Sequence, residues 1–400
     1  MPDALLANYS RAPVTFVRGE GCTLIDERGE RYLDFVAGLA VCALGHAHPE
    51  IARAIGVQAA RLVHCSNLYG HEPAGELAAE LARRSGFARV FFCNSGTEAN
   101  EAAIKLARKW AYRRGERERT TILACSGSFH GRTLGALAAT DNPRYHEGFG
   151  PMPGGFAFTP FNDDAALERT IDGTVAAFIV EPVQGESGVH VADRAFLAQA
   201  RRLCDERGAL LVFDEIQCGM GRLGTTFAFE SVDVRPDLVT MAKALANGLP
   251  IGAVLVSERC ADALRPGDHG STFGGSPVPC AAALTHLRLR DELRLDDHVR
   301  EIGAFLRSGL TSLASRFSDV LGETRGAGMM LGLQVREPYD AARIVDAARE
   351  RNLLVNAAGG NTLRIVPPLV LSNDEAVTGL RRLEQAVDAV AGQRVGVAMR

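Results

Sequence analysis

Six short runs in the middle of the chain are apolar almost from end to end, and each stops on polar or acidic residues. They are RVFFCNSG from Arg89, TILACSGSFHG from Thr121, AAFIVEPVQGE from Ala176, ALLVFDEIQCG from Ala209, DLVTMAK from Asp237 and IGAVLVSE from Ile251. A strand without polar alternation must be buried on both faces, the habit of parallel sheets flanked by helices. Helical patterns lie between some of the runs. From Thr97 to Arg114, Ala99, Ala102, Ala103, Leu106, Ala107 and Trp110 recur at i, i+3, i+4 spacing, and a second helix, Asp193 to Arg207, meets a stop at Gly208. The fold class is therefore α/β, a mainly parallel central sheet with helices on both faces.

The ends of the chain read differently. Residues 11–45, with VTFVRGEGCTLIDERGERYLDFVAG at their centre, alternate apolar and polar and carry Gly-rich turns, as an antiparallel meander does. From about Asp291 come a helix, the strands AGMMLGLQVR and TLRIVPPLV, and a last helix opened by the capping box Ser372 to Glu375. At 400 residues the chain outgrows one comfortable core. The expected division is 1–50 as an N-terminal segment packing with the small domain, 51–290 as the large domain and 291–400 as the small α+β domain.

A formal net charge of −4, with no long Lys/Arg block, argues against a nucleic-acid surface. The nine cysteines include no C-x-x-C pair, which disfavours a zinc ribbon, a redox motif or a disulfide framework and suits reduced thiols in a cytoplasm. No apolar run reaches membrane-spanning length, and the first thirty residues lack a secretory pattern. His46 and His48 in GHAHP have no Cys or acid spacing around them, so they read as turn histidines, and no metal site is expected.

In open α/β sheets ligands bind beyond the carboxyl ends of the strands, and three of those ends carry chemistry. Ser95, Gly96 and Thr97 stand where a strand runs into a helix, a setting that favours an anion such as phosphate, although an ordinary N-cap reads alike. Asp214 ends a buried strand, where a carboxylate needs a cation or several donors; a local cap or salt bridge would also serve. Lys243 is either a surface lysine or, if desolvated, an amine suited to condensing with an aldehyde. One ligand has a phosphate, a cationic ring nitrogen and an aldehyde together: pyridoxal 5'-phosphate.

Two readings from other classes compete. Gly219, Gly221 and Gly224 spell G-x-G-x-x-G after a strand, which suggests a nicotinamide-dependent oxidoreductase, but TTFAFESVDVRPDL follows with no helical pattern. A cofactor-free binding protein leaves the coexistence of Lys243, Asp214 and the anion cradle without a reason.

The ordered series DFVAGLAVCALGHAHP, SNLYGHEP, NSGTEANEAAIKLARK, SFHGRT, EPVQGE, DEIQCGMGRLG, MAKALANGLPIGA, GSTFGG and LRIVPPL runs nearly end to end. It resembles the class III pyridoxal-phosphate-dependent aminotransferases of fold type I. The resemblance implies that Lys243 carries the cofactor and moves the substrate proton, and that Asp214 pairs with the ring nitrogen. It further implies that Gln217 faces the ring's phenolic oxygen, that Phe129 stacks on the ring and that Ser95, Gly96 and Thr97 hold the phosphate. Thr272 would reach in from a second subunit, giving a homodimer with shared active sites. Taken alone, Phe129 is equally a core aromatic.

The same resemblance assigns Arg132 to the carboxylate far from the reacting amine, Arg364 to the α-carboxylate of glutamate and Ser271 to the substrate contacts. Glu186 would pair with Arg364 in one half-reaction and swing away in the other; a static salt bridge is the plainer alternative. The implied reaction moves the terminal amine of N2-acetyl-L-ornithine to 2-oxoglutarate, a step of arginine biosynthesis. Siblings acting on succinylornithine, N-succinyl-diaminopimelate, ornithine or 4-aminobutyrate remain as alternatives. Members acting on free ornithine resemble one another in a tyrosine near Leu39, and leucine there favours an acylated amine. Cys42 and Cys218 depart from the Asn and Thr common at those places, which leaves the acyl group open.

Overall fold

Apolar composition on every face drives the central runs into the middle of a sheet. In the computed structural model, which describes residues 4–395, the N-terminal strands are β1 (Phe16–Glu20), β2 (Thr23–Asp26) and β3 (Arg31–Asp34). The middle of the chain supplies β4 (Arg89–Cys93), β5 (Thr121–Cys125), β6 (Phe156–Thr159) and β7 (Val175–Val180), then a ribbon of β8 (Val183–Gln184) and β9 (His190–Val191). Next come β10 (Leu210–Asp214), β11 (Leu238–Met241) and β12 (Gly252–Val256). The C-terminal part adds β13 (Leu321–Ala327), β14 (Met330–Val335), β15 (Leu353–Leu354), β16 (Asn356–Ala358) and β17 (Thr362–Ile365).

Seven strands form the central sheet in the order β4-β12-β11-β10-β7-β5-β6. β10 lies parallel to β11 and β7, and β5 parallel to β7 and β6. Only β12 reverses, running antiparallel to β11 and β4. The reason is length: residues 242–251 alone link β11 to β12, short of the dozen or so that a parallel crossover takes. All of β7, β10, β11 and β12 is buried, as strands covered on both faces should be.

The flanking helices follow their sequence patterns. Gly96–Arg113 buries Ala99, Ala102, Ala103, Leu106, Ala107 and Trp110, and Ser95 caps it by accepting a hydrogen bond from the Glu98 N–H at 3.3 Å. Arg194–Arg207 ends at Gly208 in the left-handed region, with φ 74°. The Ser372 to Glu375 capping box closes in both directions, through Glu375 Oε2 and Ser372 Oγ.

The meander β1-β2-β3 is antiparallel, and β15 completes its sheet parallel to β3, with Leu353 opposite Leu33 and Leu354 opposite Asp34. The N-terminal segment thus shares a sheet with the last fifth of the chain, while β13-β14-β17-β16 form a separate antiparallel sheet beside it. In the central sheet Phe213 pairs with Val180 and Asp214 with Thr240. That register sets the carboxyl ends of three neighbouring parallel strands side by side, followed at once by Glu181 and Glu215 and, after Ala242, by Lys243.

Candidate active site

Beyond those strand ends lies a cavity of about 400 Å³ whose wall includes Ser95, Gly96, Thr97, Phe129, Arg132, Glu181, Glu186, Asp214, Gln217 and Lys243. Its size suits a small cofactor with its substrate. Ten residues scattered over some 150 positions of sequence therefore converge on one hollow.

Lys243 opens the turn after β11 in the left-handed region, with φ 41°, a strained backbone for a lysine. Asn247, at the end of that turn, anchors it: its Oδ1 accepts the Leu44 N–H at 2.8 Å and its Nδ2 donates to the Gly45 carbonyl at 3.2 Å. Among the described residues the Lys243 amine has no hydrogen-bond or ion-pair partner. Burial pushes its pKa below that of a free lysine, with Arg364 adding to the effect against the pull of Glu186. An unpartnered amine facing a cavity, with its pKa lowered by burial, is suited to act as a nucleophile.

Asp214 is held on both oxygens. Oδ1 accepts the Ile216 N–H at 3.0 Å, and Oδ2 accepts from Asn100 Nδ2 at 2.8 Å and lies 2.8 Å from His130 Nδ1. Asn100 also donates to the His130 carbonyl at 2.7 Å, so the three residues form one buried unit. Asn100 was not picked out by the sequence; His130, beside Phe129, reads there as a site-wall residue without a proton-transfer role, and it does line the cavity. A polar residue on the apolar stripe of a helix was the available signal for Asn100.

At the helix start, Gly96 and Thr97 carry first-turn N–H groups with no intrahelical acceptor. The Thr97 hydroxyl is engaged with Thr133, whose Oγ1 lies 2.8 Å away. The loop Phe129 to Arg132 passes so close that a Cβ on Gly131 would stand 2.3 Å from Thr97 Oγ1. Gly131, at φ 135°, is what lets this loop reach the cavity.

Glu186 sits in the turn between β8 and β9, and its Oε1 meets Arg364 Nη1 of β17 at 2.6 Å. Arg364 is fully buried, and it also contacts the Gly185 carbonyl at 3.2 Å and Gln217 Oε1 at 3.3 Å. Burial raises the Glu186 pKa, but Arg364 outweighs it and holds the carboxyl below its usual range. Gln217 Nε2 donates to the same Glu186 oxygen at 3.3 Å, so its amide is spent on the ion pair in this conformation.

Glu181 is the acid the sequence reading passed over, although it ends β7 as Asp214 ends β10. It accepts the Phe129 N–H at 3.1 Å, and burial next to Asp214 pushes its pKa well above the carboxylate range. Burial and the neighbouring carboxylate thus both favour its protonated form in the cavity wall.

Ser271 and Thr272 lie outside this hollow, in an adjoining one with Phe91, Glu98 and His269. Ser271 Oγ accepts from Asn94 Nδ2 at 3.1 Å, and Thr272 is exposed. Leu39 is exposed too, and Val41 of the same loop lines the cavity instead.

The glycine-rich turn holds no dinucleotide cradle. After β10 the chain turns until a one-turn helix, Ala228–Val232, whose leading N–H groups at Ala228 and Phe229 are taken by Glu215 at 2.6 and 2.8 Å. No free helix N-terminus follows the glycines for a pyrophosphate.

The amine, the triply bonded acid and the anion cradle suit pyridoxal 5'-phosphate, each by its own chemistry. The comparisons with known proteins agree. The family model for class-III aminotransferases matches residues 5–387. An acetylornithine aminotransferase of Thermosynechococcus vestitus is 46% identical over 395 residues, covering 97% of this chain and 96% of the relative. The ornithine aminotransferase of Toxoplasma gondii, solved with partial occupancy of PLP at its active site, superposes with TM-score 0.94 at 34% identity, over 98% of this chain and 93% of that one. The N-acetylornithine aminotransferase of Stenotrophomonas maltophilia gives TM-score 0.84 at 40% identity, over 98% of both chains. The chain belongs to the class-III aminotransferases, enzymes that depend on pyridoxal 5'-phosphate.

Proposed function

We propose that the chain transfers the terminal amine of N2-acetyl-L-ornithine to 2-oxoglutarate, giving N-acetyl-L-glutamate 5-semialdehyde and L-glutamate, a step of arginine biosynthesis. The observation that carries this reading is the Glu186–Arg364 ion pair, 2.6 Å long, at a cavity whose wall holds Glu186 together with Arg132, which has no anionic partner among the described residues. A donor that presents a bare methylene beside its amine needs Arg364 neutralised, and Glu186 does that. Glutamate brings its own α-carboxylate, so Glu186 must then give way. Arg132 takes the far carboxylate of either substrate through a planar fork.

When bound, pyridoxal 5'-phosphate supplies an electron sink for the pair left on carbon after proton loss. Ser95, Gly96 and Thr97 would hold its phosphate and Phe129 would cover its ring. Asp214, fixed by Asn100, His130 and the Ile216 N–H, would keep the ring nitrogen protonated. Lys243 would carry the cofactor and, its pKa lowered by burial, take the proton from the substrate carbon that bears nitrogen and return it. Glu181, whose protonated form is favoured by burial beside Asp214, would limit the negative charge there.

The same reading makes the enzyme a homodimer. Thr272 is exposed on a segment tied to the neighbouring loop by Asn67, which donates to the Ser271 and Gly274 carbonyls at 2.9 and 3.0 Å. Leu68 and Phe273 on those two segments are 85% and 61% exposed, an apolar surface that a second copy would cover while Thr272 reached its cavity. Segments 1–50 and 291–400 would form the small domain, supported by the β3–β15 pairing. Nine unpaired thiols fit a reducing cytoplasm.

The test is a side-by-side assay of acetylated, succinylated and free ornithine with 2-oxoglutarate. The highest kcat/KM should fall to the acetylated donor. A preference for free ornithine would defeat the assignment.

A further inference from the structure

Arg132 stands on an exposed loop, and among the described residues its guanidinium makes no hydrogen bond or ion pair. It is nevertheless seated. Its guanidinium carbon lies 3.5 Å from the centroid of the Tyr145 ring and 5.6 Å from that of Phe129. Tyr145 is not part of the cavity wall. It sits on the one-turn helix Pro143–His146, whose Asn142 cap accepts the Arg144 N–H at 3.2 Å. His146 Nε2 pins the far end against the Leu137 and Thr140 carbonyls at 2.9 and 2.8 Å. The Tyr145 ring meets Phe129 edge to face, with centroids 6.0 Å apart and planes at 85°.

A stacked guanidinium keeps its five N–H groups free at the edge while its face rests on the ring. The seat therefore leaves carboxylate recognition intact. An unsupported arginine would sample many rotamers, and ordering it would cost affinity on every binding event.

We infer that Tyr145 is a positioning residue, whose ring face holds Arg132 ready for the substrate carboxylate far from the reacting amine. The inference rests on Arg132 as the anchor of that carboxylate. Because the acylated donor and 2-oxoglutarate both use that anchor, loss of the ring raises KM for both and leaves kcat nearly unchanged.

The holoenzyme is assayed as wild type, Tyr145→Phe, Tyr145→Leu, Tyr145→Met, Arg132→Ala and the double variant Arg132→Ala/Tyr145→Leu. Tyr145→Leu and Tyr145→Met should raise both KM values about three- to thirty-fold with kcat within about twofold, and Tyr145→Phe should recover most of the loss. In the Arg132→Ala background, Tyr145→Leu should change KM by less than about twofold. A series of increasingly fluorinated phenylalanines at position 145 keeps the ring's shape while weakening its face, so KM should climb along it.

A flat KM across that series overturns the inference, as does an equal effect of Tyr145→Leu with and without Arg132. An Arg132→Ala variant with unchanged KM for both substrates would instead remove the carboxylate anchor itself.

Discussion

Arg364 and Glu186 come from segments 178 residues apart in sequence, yet their side chains share a hydrogen bond of 2.6 Å with only one of the two fully buried. The guanidinium is buried, whereas the carboxylate is 29% exposed on a turn. Replacing Glu186 by Ala should leave Arg364 permanently open to α-carboxylates. The ratio of kcat/KM for glutamate to that for the terminal-amine donor should rise by about tenfold or more. Stopped-flow half-reactions with each donor read it directly, and an unchanged ratio would mean a static pair.

Asp214 is held in position by Asn100, His130 and the Ile216 N–H. Asp214→Asn should lower kcat by roughly two to three orders of magnitude, as loss of a preorganised charge does. Asn100→Ala and His130→Gln should each cost about tenfold in kcat with little change in KM. Steady-state kinetics on cofactor-saturated protein distinguishes the two sizes of effect.

Lys243 should be the only lysine labelled when borohydride reduces the cofactor-loaded enzyme, and peptide mapping would show it. Lys243→Ala should bind the cofactor without turning over, because no other side-chain amine lines the cavity.

His46 gives a prediction about stability. Burial lowers its pKa, but Asp34 Oδ2, 2.7 Å from His46 Nε2, together with the Cys42 side chain outweighs burial, and the net value rises from 6.5 to about 9. A raised folded-state pKa means the imidazolium is favoured by folding. The stabilisation is full below pH 6.5 and disappears as the pH climbs through about 9. It amounts to about 3 kcal/mol at most. Urea unfolding of wild type and His46→Gln should show a gap in midpoint at low pH that closes across this window. A gap independent of pH would contradict the charged pair.

Asp214 and Lys243 were legible because a charge at the carboxyl end of an apolar strand has few structural excuses. Glu181 offered the same signal and was overlooked, its motif having been read for Glu186 alone. The reversal of β12 was hidden for a different reason. IGAVLVSE is buried on both faces like its parallel neighbours, so composition carries no direction, and only the short link from β11 held the clue. Asn100 was masked by the alanines around it. The contact of Arg132 with Tyr145 depends on the placement of a one-turn helix, which no periodicity reports.

The parallel pairing of β3 with β15 also fixes an order of events during synthesis. Leu33 and Asp34 leave the ribosome early, but their partners Leu353 and Leu354 emerge only when most of the polypeptide has been made. Until then the meander presents an open edge to whatever else is in the cell. Chaperones that shield nascent chains should therefore matter more for the yield of this enzyme than its final stability suggests.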